Sequence, residues 1–117
     1  MAKHRPITIN ILATPDSTAA TLYGLFEVLS TVGLAWENYV SGKPDNPQFD
    51  VRIVAASKEP LRCAGNFLLS PHCSIDEAGV ADIALIGSLA VSNAPPIKAL
   101  DKRELDWLLH QQSRGAT

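Results

Sequence analysis

Isoleucines at positions 7, 9 and 11, followed at once by Thr14-Pro15-Asp16-Ser17, fix how this chain must begin. β-Branched residues spaced two apart fit the pleat of a strand, where successive side chains point to opposite faces. Thr8, Asn10 and Leu12 take the alternate face. The Thr-Pro-Asp-Ser stretch breaks the strand, and Asp16 or Ser17 is placed to cap the helix that follows by accepting a free amide hydrogen. Leu22, Leu25, Phe26 and Leu29 recur at helical spacing between Thr18 and about Val32, and Gly33 suits the C-terminal stop.

Residues 34–48 look irregular, because Ser41-Gly42-Lys43-Pro44-Asp45-Asn46-Pro47 is dense in turn formers, and Trp36 and Tyr39 are expected to anchor this loop. Phe49 to Ala56 is the second core strand. Leu61 to Leu69 is two short apolar runs around Gly65-Asn66, which predicts a small hairpin with a type II′ turn. Ser74-Ile75-Asp76-Glu77 has capping-box spacing and should start a one- or two-turn helix ending near Gly79. Asp82 to Gly87 reads as a strand covered on both faces, and Asn93-Ala94-Pro95-Pro96 as a loop. The last helix runs from Asp101 to Arg114, with Asp101 as cap, Glu104 at the third turn position, and Leu105, Leu108 and Leu109 facing inward.

Strands alternating with helices at this spacing predict an α/β fold. Its parallel sheet carries helices on both faces, right-handed crossovers and a small β-hairpin insertion. At 117 residues there is room for one domain and not two. With 46% hydrophobic and 19% charged residues the composition is that of a globular protein. The basic residues are scattered and the net charge is −2, so the chain lacks the clustered positive face that nucleic-acid binding requires. Lys3-His4-Arg5 and Lys102-Arg103 read as solvated charge. No run approaches the roughly 18 apolar residues of a membrane helix, and Cys63 and Cys73 make no disulfide framework, which points to the cytoplasm.

In parallel sheets ligands collect at the C-terminal ends of strands, which singles out Thr14 to Ser17 and Gly87-Ser88. Asp16, Ser17 and Thr18 could hold a polar group beside the helix N-terminus, although capping alone accounts for them. Gly87-Ser88 could present backbone amides to an anion, although a strand end needs no more than a glycine. His72 and Cys73 are adjacent and no second pair completes a zinc site, so Cys63 and Cys73 read as small buried hydrophobes, with His4 and His110 on the surface. Tyr23 and Glu27 form a structural i, i+4 pair. There is no phosphate loop, dinucleotide fingerprint or zinc-protease motif.

Taken in order, TLYGLFEVLSTVG (21–33), FDVRIVAAS (49–57), CAGNFLLSPHCSIDEA (63–78), DIALIGS (82–88) and ELDWLLHQQSRGAT (104–117) resemble one family. They are similar to the N-terminal part of the class I glutamine amidotransferase-like (ThiJ/PfpI) domain of AraC-type transcriptional regulators. Gly24-Leu25-Phe26-Glu27-Val28 is similar to the family's Gly-Pro-Leu-Glu-Val helix, with Leu25 in place of the proline. The resemblance implies a flavodoxin-like fold. Arg114 to Thr117 looks like the approach to the strand before the nucleophile elbow, so the family's cysteine would lie beyond Thr117, and neither Cys63 nor Cys73 takes its place.

Enzymatic members place an acid in the first helix where this chain has Thr21, and a glycine pair where it has Gly87-Ser88. Both departures suit a sensor that keeps the fold without the chemistry. The expectation is therefore the N-terminal part of one domain, incomplete at the C-terminus, that folds as part of something longer or by dimerising. Thr14, Asp16, Thr21, Gly87 and Ser88 are its ligand-binding candidates, and no catalytic residue, metal or cofactor is expected. The implied partners are a small-molecule effector and a second copy in a homodimer, with DNA bound by a later domain, not by this segment, and no membrane. The rival expectation is a ThiJ/PfpI-type hydrolase, hydratase or glyoxalase-like enzyme with its nucleophile downstream.

Overall fold

The computed structural model describes residues 5–34, 39–40, 47–90 and 100–117. The elements are β1 (Ile7–Leu12), α1 (Ala19–Thr31), β2 (Phe49–Ala55), β3 (Leu61–Cys63), β4 (Phe67–Leu69), β5 (Cys73–Ser74), β6 (Ile83–Ile86) and α2 (Lys102–Ser113). Four strands form one parallel sheet in the order β5-β2-β1-β6, while β3 and β4 make a separate antiparallel hairpin. The three core strands thus lie second-first-third, the order that opens a flavodoxin-like sheet.

Side-chain parity divides the core. Ile9 pairs with Val51 and Ile83, and Ile11 with Ile53 and Leu85, so odd-numbered residues of three strands share one face. There they pack on Ala19, Leu22, Leu25, Phe26 and Leu29 of α1. Leu12, Val54 and Ala84 take the other face, against Ile75 and Trp107 and Leu108 of α2. The helices therefore cover opposite faces, as the alternation of strands and helices predicts. Ile9, Ile11, Leu12, Leu22 and Ile53 are all at most 2% exposed. Each such burial is worth about 1.5–3 kcal/mol.

Several local expectations are corrected. The cap of α1 is Thr18, not Asp16 or Ser17, and its side chain makes no capping bond. The hairpin turn is not type II′. That type needs positive φ at its first central residue only, whereas Gly65 and Asn66 both take it, at 74° and 66°. The loop is three residues long because Cys63 pairs with Phe67, and Asn66 Oδ1 is held by Arg62 at 2.6 Å. The Ser74–Glu77 capping box does form, with Ser74 Oγ donating to Glu77 Oε1 at 3.1 Å and accepting its N–H at 3.3 Å. It closes a single turn, however, and Gly79, at φ 69°, leads the chain straight toward β6. Strand β6 is half-buried rather than covered on both faces, with Ile86 44% exposed. Along its far edge, Thr117 donates to the Asp82 carbonyl at 2.9 Å and accepts Ala84 N–H at 3.0 Å, the pattern of a parallel partner opposite Ile83. Tyr39 is 88% exposed and so does not anchor on the described residues; Lys3, His4, Trp36, Ser41 to Asn46 and the Asn93–Pro96 loop lie outside them.

Helix α2 begins with the expected cap, Asp101 accepting Glu104 N–H at 2.8 Å and Glu104 accepting Asp101 N–H at 3.2 Å. Its inward face differs from the expected one: Glu104, Trp107, Leu108 and Gln111 point in, while Leu105 and Leu109 are 48% and 55% exposed. Gln111, 1% exposed, clamps the turn ahead of β6 by accepting Ala81 N–H and donating to the Gly79 carbonyl, both at 2.9 Å.

Two polar clamps hold strand edges. His72 donates its N–H to the Ile53 carbonyl at 2.8 Å, and its Nδ1 accepts Ile53 N–H at 2.9 Å, so a side chain finishes the β2 ladder where β5 begins. Asp82 Oδ2 accepts Thr8 N–H at 2.9 Å and Thr8 hydroxyl at 3.0 Å, with Arg5 beside it. The two Thr8 bonds, then Arg5, hold the Asp82 carboxyl below the ordinary aspartate range.

His72→Ala leaves the Ile53 amide without its acceptor and is expected to cost about 1–3 kcal/mol in urea unfolding, while Leu109→Gln on the outer face of α2 stays within about 0.5 kcal/mol. Because the folded pKa of Asp82 is depressed, its contribution is present above the ordinary aspartate value of about 3.9 and is lost as pH falls through the lower folded value. Urea midpoints measured from pH 5 downward should fall more steeply in the parent protein than in Asp82→Asn.

Candidate functional site

In a parallel sheet the crevice forms outside the carboxyl ends of the strands, where the strand order reverses. Here the reversal is at β1, since α1 leads from it to β2 on one side and β6 joins on the other. Two turns meet over that point. Thr18 N–H donates to the Ser88 carbonyl at 3.0 Å, Ala90 N–H to the Asp16 carbonyl at 2.7 Å, and Ala64 N–H of the hairpin to the Ser17 carbonyl at 3.1 Å.

All five candidates from the sequence, Thr14, Asp16, Thr21, Gly87 and Ser88, belong to this rim or its first helical turn. Thr14 is 1% exposed, its N–H donating to Ser17 Oγ at 2.9 Å and its own hydroxyl accepting Asp16 N–H at 3.3 Å. Thr14 and the fully buried Ser17 thus shape the turn from inside. Thr18 Oγ1 lies 2.9 Å from Thr21 Oγ1 and 3.2 Å from the Ser88 carbonyl. Gly87 lies against α1: a Cβ there would come within 3.2 Å of Leu22 Cδ2 and 3.7 Å of Thr21 Cγ2. The glycine serves close packing. Asp16 and Thr21 are half-buried and Ser88 exposed, which leaves these three accessible at the rim.

A pocket of about 230 Å³ opens beside this rim, over the ends of β1 and β2. Ala13, Pro15, Ala55 and Leu61 give apolar walls, and Asp101 and Glu104 of α2 close one side. Glu104 is 4% exposed; its Oε1 accepts the Asp101 amide, whereas among the described residues its Oε2 is buried without a hydrogen-bond partner. Burial pushes the Glu104 carboxyl above the ordinary glutamate range; the Asp101 amide opposes this, and the charges of Asp101 and Asp16 add to it. Sequence reasoning saw Glu104 only as a cap. The signal lay in its spacing of three and seven residues from Trp107 and Gln111, which puts all three on one helix face.

Cys63 is buried in the hairpin and its thiol is pushed up by burial, the opposite of an activated nucleophile. Cys73 and His72 stand at the β2 edge, and among the described residues no group of three or more His, Cys, Asp or Glu could hold a metal ion. Among those residues, too, no helix is long and apolar enough to cross a membrane.

No protein-family model and no curated protein matches the chain. Solved structures do match its fold. One is the crystal structure of a "putative transcriptional regulator protein" from Vibrio parahaemolyticus, with a TM-score of 0.67 and 17% identity over 96% of this chain and 54% of that one. The chain spans about half the length of that protein, and at this identity the likeness establishes the α/β fold.

A carboxyl raised by burial favours folding at low pH, and that contribution is lost as pH rises through the raised value. Glu104→Gln keeps an acceptor for the Asp101 amide and removes the buried charge. It is expected to equal or exceed the parent's stability in urea at pH 8 and to lose the advantage near pH 4.

Proposed function

We propose that this chain is the sensing part of a transcriptional regulator, an amidotransferase-like domain of the ThiJ/PfpI type joined to an AraC-type DNA-binding domain. It binds a small-molecule effector and does not catalyse. The observation that carries this reading is the makeup of the rim. At the switch point of the sheet the Thr18 hydroxyl lies between the Thr21 hydroxyl and the Ser88 carbonyl, and Thr21 stands where a catalytic member of the family would set an acid against its nucleophile. Such a rim can orient a polar ligand by hydrogen bonds, and the place of the family's catalytic acid is held by Thr21, whose hydroxyl does not ionise at neutral pH. The fold shared with the Vibrio parahaemolyticus protein supports the same reading. Cytoplasmic location and a homodimer complete the proposal.

The test uses the product of the complete gene. It is expected to retard the DNA flanking its own gene in a mobility-shift assay, with a steep loss of affinity as salt rises. Methylglyoxal and p-nitrophenyl acetate should turn over at the uncatalysed rate. A protein that ignores that DNA and turns over either compound far above background would instead be an enzyme of the ThiJ/PfpI type.

A further inference from the structure

Strand β5 is two residues long, so the seam that joins it to β2 depends on the bonds at its two ends. At the C-terminal end Ile75 N–H donates to the Ala55 carbonyl at 2.8 Å. At the other end both bonds come from one residue. His72 N–H donates to the Ile53 carbonyl at 2.8 Å, and Ile53 N–H donates to His72 Nδ1 at 2.9 Å. A strand carbonyl would accept that amide at any pH. Nδ1 accepts it only while it carries no proton, because both ring nitrogens of the imidazolium ion are donors.

Imidazole is the side chain that ordinarily changes charge between about pH 5 and 8. His72 is exposed, so protons reach the ring although its Nδ1 is engaged. Phe26 of α1 lies against it, with ring centroids 4.9 Å apart. The titratable groups of the two elements packed on it are Tyr23 and Glu27 of α1 and Asp50 and Arg52 of β2. Among the described residues none of these bonds the ring, and Asp50 and Arg52 pair with each other at 3.4 Å. Cys73, the next residue, packs on the opposite face with Leu12 and Val54.

We infer that His72 is an acid-sensitive latch on the edge of the sheet. Proton uptake at Nδ1 turns the acceptor into a donor facing the Ile53 amide and releases that end of the β2–β5 seam. The neutral ring closes the seam, so closure is present at high pH and is lost as pH falls. Ile53 is fully buried, and its amide finds no water in place of Nδ1 while the sheet stays intact. Ala55, which takes the seam's other bond, lines the pocket beside the rim, so the latch borders the candidate site. The two groups with shifted carboxyls do not act in this way. Asp82 responds only below the ordinary aspartate range, and the contribution of Glu104 grows as pH falls. The latch belongs to the fold and does not depend on the sensing role proposed above.

The experiment is amide hydrogen exchange of the complete gene product, followed residue by residue by NMR at pH 7.5 and pH 5 and corrected for intrinsic exchange. Protection of the Ile53 amide is expected to fall at least about tenfold at the lower pH, the scale of one buried amide left unmet. The amides of β1, hydrogen-bonded along both edges, should keep theirs. In His72→Asn the side-chain carbonyl can accept the Ile53 amide at either pH, and protection should then be equal at both. Equal protection of Ile53 at the two pH values in the parent, a parallel loss throughout β1, or the same fall in His72→Asn would overturn the inference. The first two readings need no variant, so the outcome does not hang on the folding of His72→Asn.

Discussion

Strand β1 is hydrogen-bonded along both edges, to β2 from Ile7 to Leu12 and to β6 from Ile9 to Leu12. Its odd residues carry α1 and its even residues meet the side covered by α2, so a shift of one residue would exchange the two faces of the core. Register is secured at both ends by polar groups. At the N-terminal end Asp82 grips Thr8, and at the C-terminal end the Thr14–Ser17 turn closes on itself and on Ser88 to Ala90. The candidate site is the upper of these two clamps. The same bonds that shape it fix the register of the central strand.

Much of this was legible in the sequence because it depends on periodicity. Isoleucines two apart gave β1, the leucine spacing gave α1, and Asp101 with Glu104 gave the start of α2. The rim could be located once strand ends were placed, since parallel sheets gather ligands there. What escaped depended on tertiary contacts that no local pattern carries. Leu105 and Leu109 look as apolar as Trp107, and only the position of the sheet decides that Trp107 faces it. His72 resembles a reactive neighbour of Cys73, yet its ring nitrogen substitutes for a missing strand acceptor. Ser17 looks like a cap, but its hydroxyl turns back to the Thr14 amide because Thr18 already stands at the helix start.

The rim and the pocket beside it differ physically. Along the rim the hydroxyls and carbonyls are mutually satisfied, which favours shape and orientation over strong affinity. The pocket beside it retains a buried acid that costs stability. Asp16 joins the two, its carbonyl bonded to Ala90 in the rim and its charge acting on Glu104.

The claim at the centre of this account is that the rim senses and DNA elsewhere responds. Ser88→Trp addresses it most directly, since Ser88 is exposed and, among the described residues, bonds the turn through its carbonyl and not its side chain. Promoter occupancy and transcript level would be followed together in cells carrying the parent gene or this variant as growth conditions change. The account predicts unchanged occupancy with a transcript level that no longer responds. A variant that regulates as the parent does, or a parent protein that never occupies the promoter, would contradict it.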